Sequence, residues 1–562
     1  MSYDELIVET KTGKLRGLKE RNFEGEQFFA FRGIPYAKPP VNELRFQDPQ
    51  PVEPWTDIRE AWLHGPNCAQ VDIITSDITG SDDCLYLNIY TKKLKSDERR
   101  PVMFWIHGGH FSSGHGDDSM YGPDYFMRKD VVLVTINYRL GCLGFLNFNE
   151  EGATGNQGLK DQVMALQWVR DNIATFCGDS KNVTIFGQGA GAASVHYLTL
   201  SPLAIGLYHK VIAQSGVAIN PWAFQTNPEE YAYRLCESLG HKGKDPKTAV
   251  EFLKKVDVQK LIDAQEQLST DEEKTQYAFS FGPSLDRKSK KPFMPAHPED
   301  VFTKGIEVPC IIGYNDAEGI LFLPIITKIV SRFNKEFNKL LHPKVLDTIQ
   351  NLYKLTPQDL KEFYMENEEI TTENINKLVE FLGDLYFVEG IHRVLEVQVE
   401  ERSAPTYVYL FTHDKDPSFF KLMSKTSMRG ASHIDEICYL FAMHSFITMK
   451  QQYSTPSKTF YQWTKWFAKA FPMMCLFKWG SFKFPKKGSV RYRISEQMID
   501  MWVNFATIGK PTTGSSELIS IDWPAIDDRY CIKYLNICDN LHINEVPHIG
   551  EKFRFLKDYY VN

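Results

Sequence analysis

The sequence predicts an α/β protein built on a central, mostly parallel sheet with helices on both faces. Three observations lead there. Short, nearly continuous apolar runs rich in β-branched and aromatic residues recur along the chain, as strands buried on both faces require. Longer stretches with apolar residues at helical spacing lie between them. Segments rich in glycine and histidine follow directly after the apolar runs, where open α/β sheets place their ligands.

Taken in order, the strands are expected at 102–109 (VMFWIHGG), 131–141 (VVLVTINYRLG), 183–189 (VTIFGQG), 210–216 (KVIAQSG), 308–315 (VPCIIGYN) and 406–414 (TYVYLFTHD). A helix is expected after residue 156, because Leu159, Val163, Leu166, Val169 and Ile173 repeat at helical spacing. A late helix in SEQMIDMWVNFATIGKP (495–511) carries acids early and an apolar stripe, with Gly509 and Pro511 as its stop signal. The charged stretches between 270 and 291 read as solvated surface.

No repeat or low-complexity linker divides the 562 residues, so one domain over 1–562 is expected. With 43% apolar residues it can bury a large core, and a net charge of -7 argues against nucleic acid as a partner. The run ILFLPIITKIV (320–330) is too short to cross a bilayer and contains Pro324 and Lys328. The opening residues lack a basic stretch followed by an apolar one, so an intracellular, cytoplasmic location is the expectation. The ten cysteines contain no CxxC pair, which argues against a zinc ribbon, and no metal or cofactor is expected. Cys68 and Cys84 bracket one loop and are spaced for a bridge, a pairing that a reducing compartment disfavours. The sequon at Asn182 reads as chance.

The chemistry concentrates in four segments. WIHGGHFSSGHG (105–116) supplies small residues whose backbone N–H groups can face a developing oxyanion. FGQGAGAAS (186–194) has the strand, glycine turn and helix of a nucleophile elbow, Gly-x-Ser-x-Gly, except that the central position is Gly189. Glu318 in GYNDAEG and His433 in SMRGASHIDEI follow later strands, in the order elbow, carboxylate, histidine.

These segments, together with FRGIPYAKPPVNELRFQDPQP (31–51), SDDCLYLNIYT (81–91), NYRLGCLGFL (137–146), GNQGLKDQVMALQWVRDNIATFCGD (155–179) and MWVNFATIGKPT (501–512), resemble the type-B carboxylesterases, the cholinesterase-like α/β-hydrolases, and most of all insect α-esterases without a signal peptide. The resemblance runs from about residue 6 to beyond 540. It implies an α/β-hydrolase fold with a small N-terminal antiparallel region. It also implies an oxyanion hole from the amides of Gly109, His110 and Ala190, with Glu318 orienting His433 as general base and Gly189 at the nucleophile position. Trp222, Tyr386 and Phe387 match segments that line the family's acyl pocket, and Arg139 matches its buried structural arginine.

Three departures from the pattern matter. Gly189 has no atom that can attack an ester carbonyl. Gln188 replaces the acid that commonly precedes the serine. His110 replaces the last glycine of the oxyanion run, and its imidazole is expected to project toward the space the serine hydroxyl would fill. The favoured reading is therefore an impaired esterase homologue that binds a small hydrophobic ester or acid. The alternatives are an active ester hydrolase, either one in which His110 or His433 activates water or one whose parent sequence carries serine where Gly189 stands here, and a non-enzymatic scaffold or adhesion protein. The sequence leaves the oligomeric state open.

Overall fold

The computed structural model describes residues 6–444 and 484–553, apart from 74, 151, 367, 403, 515 and 548. Its main sheet has eleven strands: β1 (Leu18–Arg21), β2 (Gln27–Pro35), β3 (Tyr86–Thr91), β4 (Arg100–Ile106), β5 (Val132–Ile136), β6 (Gly178–Gln188), β7 (Lys210–Gln214), β8 (Cys310–Asn315), β9 (Thr406–Phe411), β10 (Cys531–Ile537) and β11 (His542–Pro547). Across the sheet they run β1-β2-β3-β5-β4-β6-β7-β8-β9-β10-β11. From β5 to β10 every neighbouring pair is parallel. Both edges are antiparallel, β1 to β3 with β5 on one side and β10 with β11 on the other. The first edge and a small sheet of Ile7–Thr10, Gly13–Arg16 and Arg59–Glu60 form the anticipated N-terminal region. The closing hairpin β10–β11 was not anticipated: the faces of β11 are largely exposed, so it lacks an apolar run.

Alternation along each strand divides the apolar residues between two cores. Phe104, Ile106, Ile185 and Ile312 join one core with Leu159, Val163, Leu166 and Val169 of helix α1 (Gln157–Asn172). Met103, Trp105, Phe186 and Ile311 join the other with Met498, Met501, Trp502 and Phe505 of helix α3 (Val490–Ile508). Between these in the chain, helix α2 (Ala190–Leu200) follows β6 directly and adds Ala192, Val195 and Leu198 to the first core. Helix α3 starts earlier than the sequence pattern indicated. Ser489 caps it, its side chain accepting from the Tyr492 amide, and Gly509 ends it with φ of 76°.

Arg139 is buried and forked onto Asp161 at 2.8 and 2.7 Å, the structural role expected of it. Asn182 is occupied within β6, its side-chain amide donating to the Thr507 carbonyl. Cys68 and Cys84 form a disulfide, contrary to what a reducing setting favours. No helix among the described residues is long and apolar enough to cross a membrane.

Candidate active site

The ends of β4, β6, β8 and β9 lead into the four segments singled out above, and the fold brings these together. At the elbow, Gly189 takes φ of 57° and ψ of -119°, its amide donates to the Gln214 carbonyl at 2.9 Å, and its carbonyl accepts from the Ala193 amide at 2.9 Å. The flanking glycines are imposed by close approach. A Cβ on Gly187 would stand 2.6 Å from the Ile106 carbonyl oxygen, and one on Gly191 would overlap that same oxygen. At Gly189 the obstacle is the left-handed backbone and one neighbour, because a Cβ there would lie 3.0 Å from Nε2 of His433.

The fold brings His433 and Glu318 together. Nδ1 of His433 lies 2.5 Å from Oε2 of Glu318, whose Oε1 accepts from the Asn315 amide at 2.8 Å. The carboxylate assigns the ring proton to Nδ1 and leaves the Nε2 lone pair facing the elbow. That lone pair is already engaged: the side-chain amide of Gln188 donates to it at 3.0 Å. Behind the pair stands Glu436, buried and hydrogen-bonded by Asn315 Nδ2 at 2.7 Å and Gln214 Nε2 at 3.3 Å. Burial, and after it the neighbouring Glu318, push Glu436 up to about 7.

Among the described residues, the amides of Gly109, His110 and Ala190 donate to no acceptor. The loop that carries the first two turns sharply, with φ of 112°, 55° and 58° at Gly109, His110 and Phe111. The His110 ring is not free to lean toward the elbow as anticipated. It stacks on Phe279 with centroids 4.6 Å apart, meets Tyr277 edge-on at 4.5 Å, and bonds the Tyr277 hydroxyl through Nε2. Burial, with His433 adding to it, pushes His110 down to about 3, so it is neutral near pH 7.

These groups surround a cavity of about 150 Å³, lined by Gly109, His110, Gln188, Gly189, Ala190 and His433 and by apolar side chains that include Trp222, Leu321, Phe387, Phe419 and Phe420. Phe387 packs on His433 at 4.8 Å. Tyr386 stands one layer behind: its carbonyl accepts from Trp222 Nε1 at 2.9 Å, and its hydroxyl donates to the Gln276 carbonyl and accepts from the His342 amide. Tyr277 and Phe279 were missed because they sit in a stretch whose flanking charges read as surface. The Gln188 contact was missed because it joins residues 245 apart in the chain.

The Carboxylesterase family model matches residues 4–489. Juvenile hormone esterase of Tribolium castaneum is 34% identical over 461 residues, covering 77% of this chain and 78% of that protein. Esterase E4 of Myzus persicae is 34% identical over 455 residues, covering 78% and 81%. The crystal structure of juvenile hormone esterase from Manduca sexta, with OTFP covalently attached, superposes with a TM-score of 0.81 at 28% identity, over 99% of both chains.

Proposed function

Because the chain belongs to the carboxylesterase family, we propose that it retains the family's ester site but has lost its covalent chemistry, and that it holds hydrophobic esters or acids without turning them over. The observation that carries this reading is the elbow itself. His433 presents Nε2 to a residue without a side chain, and the lone pair that would take a serine proton accepts instead from the Gln188 amide. With no hydroxyl there, an acyl-enzyme has no atom on which to form. Amides at Gly109, His110 and Ala190 still offer donors to a carbonyl oxygen, and Trp222 and Phe387 offer apolar walls. The ligand class follows the relatives, whose names are those of esterases.

Water activated by His110 is disfavoured on this reading. A base pushed down to about 3 takes up a proton poorly at neutral pH, and its Nε2 is occupied by Tyr277. Hydrolysis of a p-nitrophenyl ester, set beside stoichiometric binding of a fluorescent fatty acid, tests the proposal. Binding near one equivalent with turnover at the buffer rate is expected, and turnover typical of an esterase overturns it.

A further inference from the structure

A second cavity, of about 610 Å³, shares Trp222 as a wall with the cavity at His433 and is also lined by Phe279, whose ring stacks on His110. Small-molecule sites usually occupy roughly 300–1,000 Å³. The second cavity falls inside that range.

Its polar equipment is specific. His297 and His342 both line it, and each caps a short helix through Nδ1, accepting from the amides of Glu299 at 3.2 Å and Lys344 at 3.1 Å. A nitrogen that accepts carries no proton, so each neutral ring holds its proton on Nε2. Burial lowers both histidines, His342 to about 4, which keeps them neutral. Neither Nε2–H has a partner among the described residues, so the cavity is offered two fixed N–H donors. The carboxylates lining it are Glu230, Glu273, Glu299 and Asp347. The cations that pair with them are Arg234, Arg393 and Lys344. Four negative charges against three positive leave an excess of one negative, which disfavours an anionic ligand.

We propose that this cavity is a second ligand site, for an uncharged ester in preference to the free acid, with the Nε2–H groups of His297 and His342 donating to the ester oxygens and Trp222 and Phe279 flanking the alkyl chain. The proposal stands apart from the reading of Gly189.

Two measurements test it. In calorimetric titrations of the full chain, methyl octanoate should bind at least about tenfold tighter than octanoate. His297→Ser and His342→Ser keep a side-chain acceptor at each helix start and remove the imidazole Nε2–H, so each should weaken ester binding about fivefold, as the loss of one neutral hydrogen bond does. Photolabelling with a diazirine-bearing octanoate ester should mark peptides within 273–282 or 342–347. Ester binding by the double variant equal to the parent's, or equal affinity for ester and acid, overturns the proposal. So does label confined to 186–194 and 419–434. That last result leaves the reading of Gly189 standing, since that reading is decided by p-nitrophenyl ester turnover.

Discussion

Two regions of the site face each other across a single hydrogen bond and are held by different forces. At the elbow, Gly187 and Gly191 are dictated by the backbone of β4 pressing against the start of α2. A Cβ added at Gly189 between them would meet nothing but the ring edge of His433. Across the cavity, Glu318 and His433 are fixed by side-chain and backbone hydrogen bonds inside the protein. The fold therefore demands the turn and supports the acid–histidine pair, but makes no demand for a hydroxyl. Glycine at φ of 57° fits the turn without the strain that a serine would carry.

The sharpest way to break this contrast is to supply a hydroxyl at position 189. On the proposed reading, in which His433 is the base, Glu318 orients it and the amides of Gly109, His110 and Ala190 are the donors, Gly189→Ser together with Gln188→Glu should raise ester turnover on the order of 10³-fold or more over the parent. Gly189→Ser alone should gain less, because the Gln188 amide still competes for Nε2 of His433. A folded double variant that stays silent would show that the acid–histidine pair does not serve a nucleophile at position 189. In the same comparison, a fluorophosphonate probe should leave the parent's intact mass unchanged and add one adduct to the variant. Ser194 is buried and hydrogen-bonded by Gln162, so it offers no alternative site of attack.

Stability should separate the glycines. Gly191→Ala, which drives a methyl into the Ile106 carbonyl, should cost about 3 kcal/mol in urea unfolding. Gly189→Ala should cost about 1 kcal/mol, the penalty of a left-handed residue. Equal losses would mean that packing does not separate Gly191 from Gly189.

The smallest effect concerns protons. Burial holds His107 down to about 3 and His196 to about 4, so the folded protein keeps them neutral while the unfolded chain protonates them near 6.5. Their contribution is complete above pH 6.5 and is lost as pH falls toward 4, by about 1.4 kcal/mol per unit for each group. Replacing His196 by Gln should flatten that slope in urea midpoints measured between pH 7 and 5.

The central strands and the first long helix were legible because burial on both faces, or on one stripe, writes itself into local composition. Glu318 and His433 were legible because the motif order places them after strands. What stayed hidden was tertiary. Gln188 reached His433, Tyr277 and Phe279 captured His110, and Tyr386 withdrew behind Trp222, all through contacts between residues distant in the chain. The antiparallel strand β11 carries too little apolar patterning to announce itself.

The Cys68–Cys84 bridge reaches further than its own loop. Gln70, two residues past Cys68, donates to the carbonyls of Cys68 and Gly114 and accepts from the Gly114 amide at 2.6 Å. Gln70 and Asp72 also line the cavity at His433. A covalent bond and a ligand wall are thus joined through one side chain. Thermodynamic reciprocity then requires that any ligand binding more tightly to the bridged form lower the reduction potential of the disulfide by the equivalent free energy. Occupancy of the cavity would be readable, in that case, as resistance of a distant cystine to thiols.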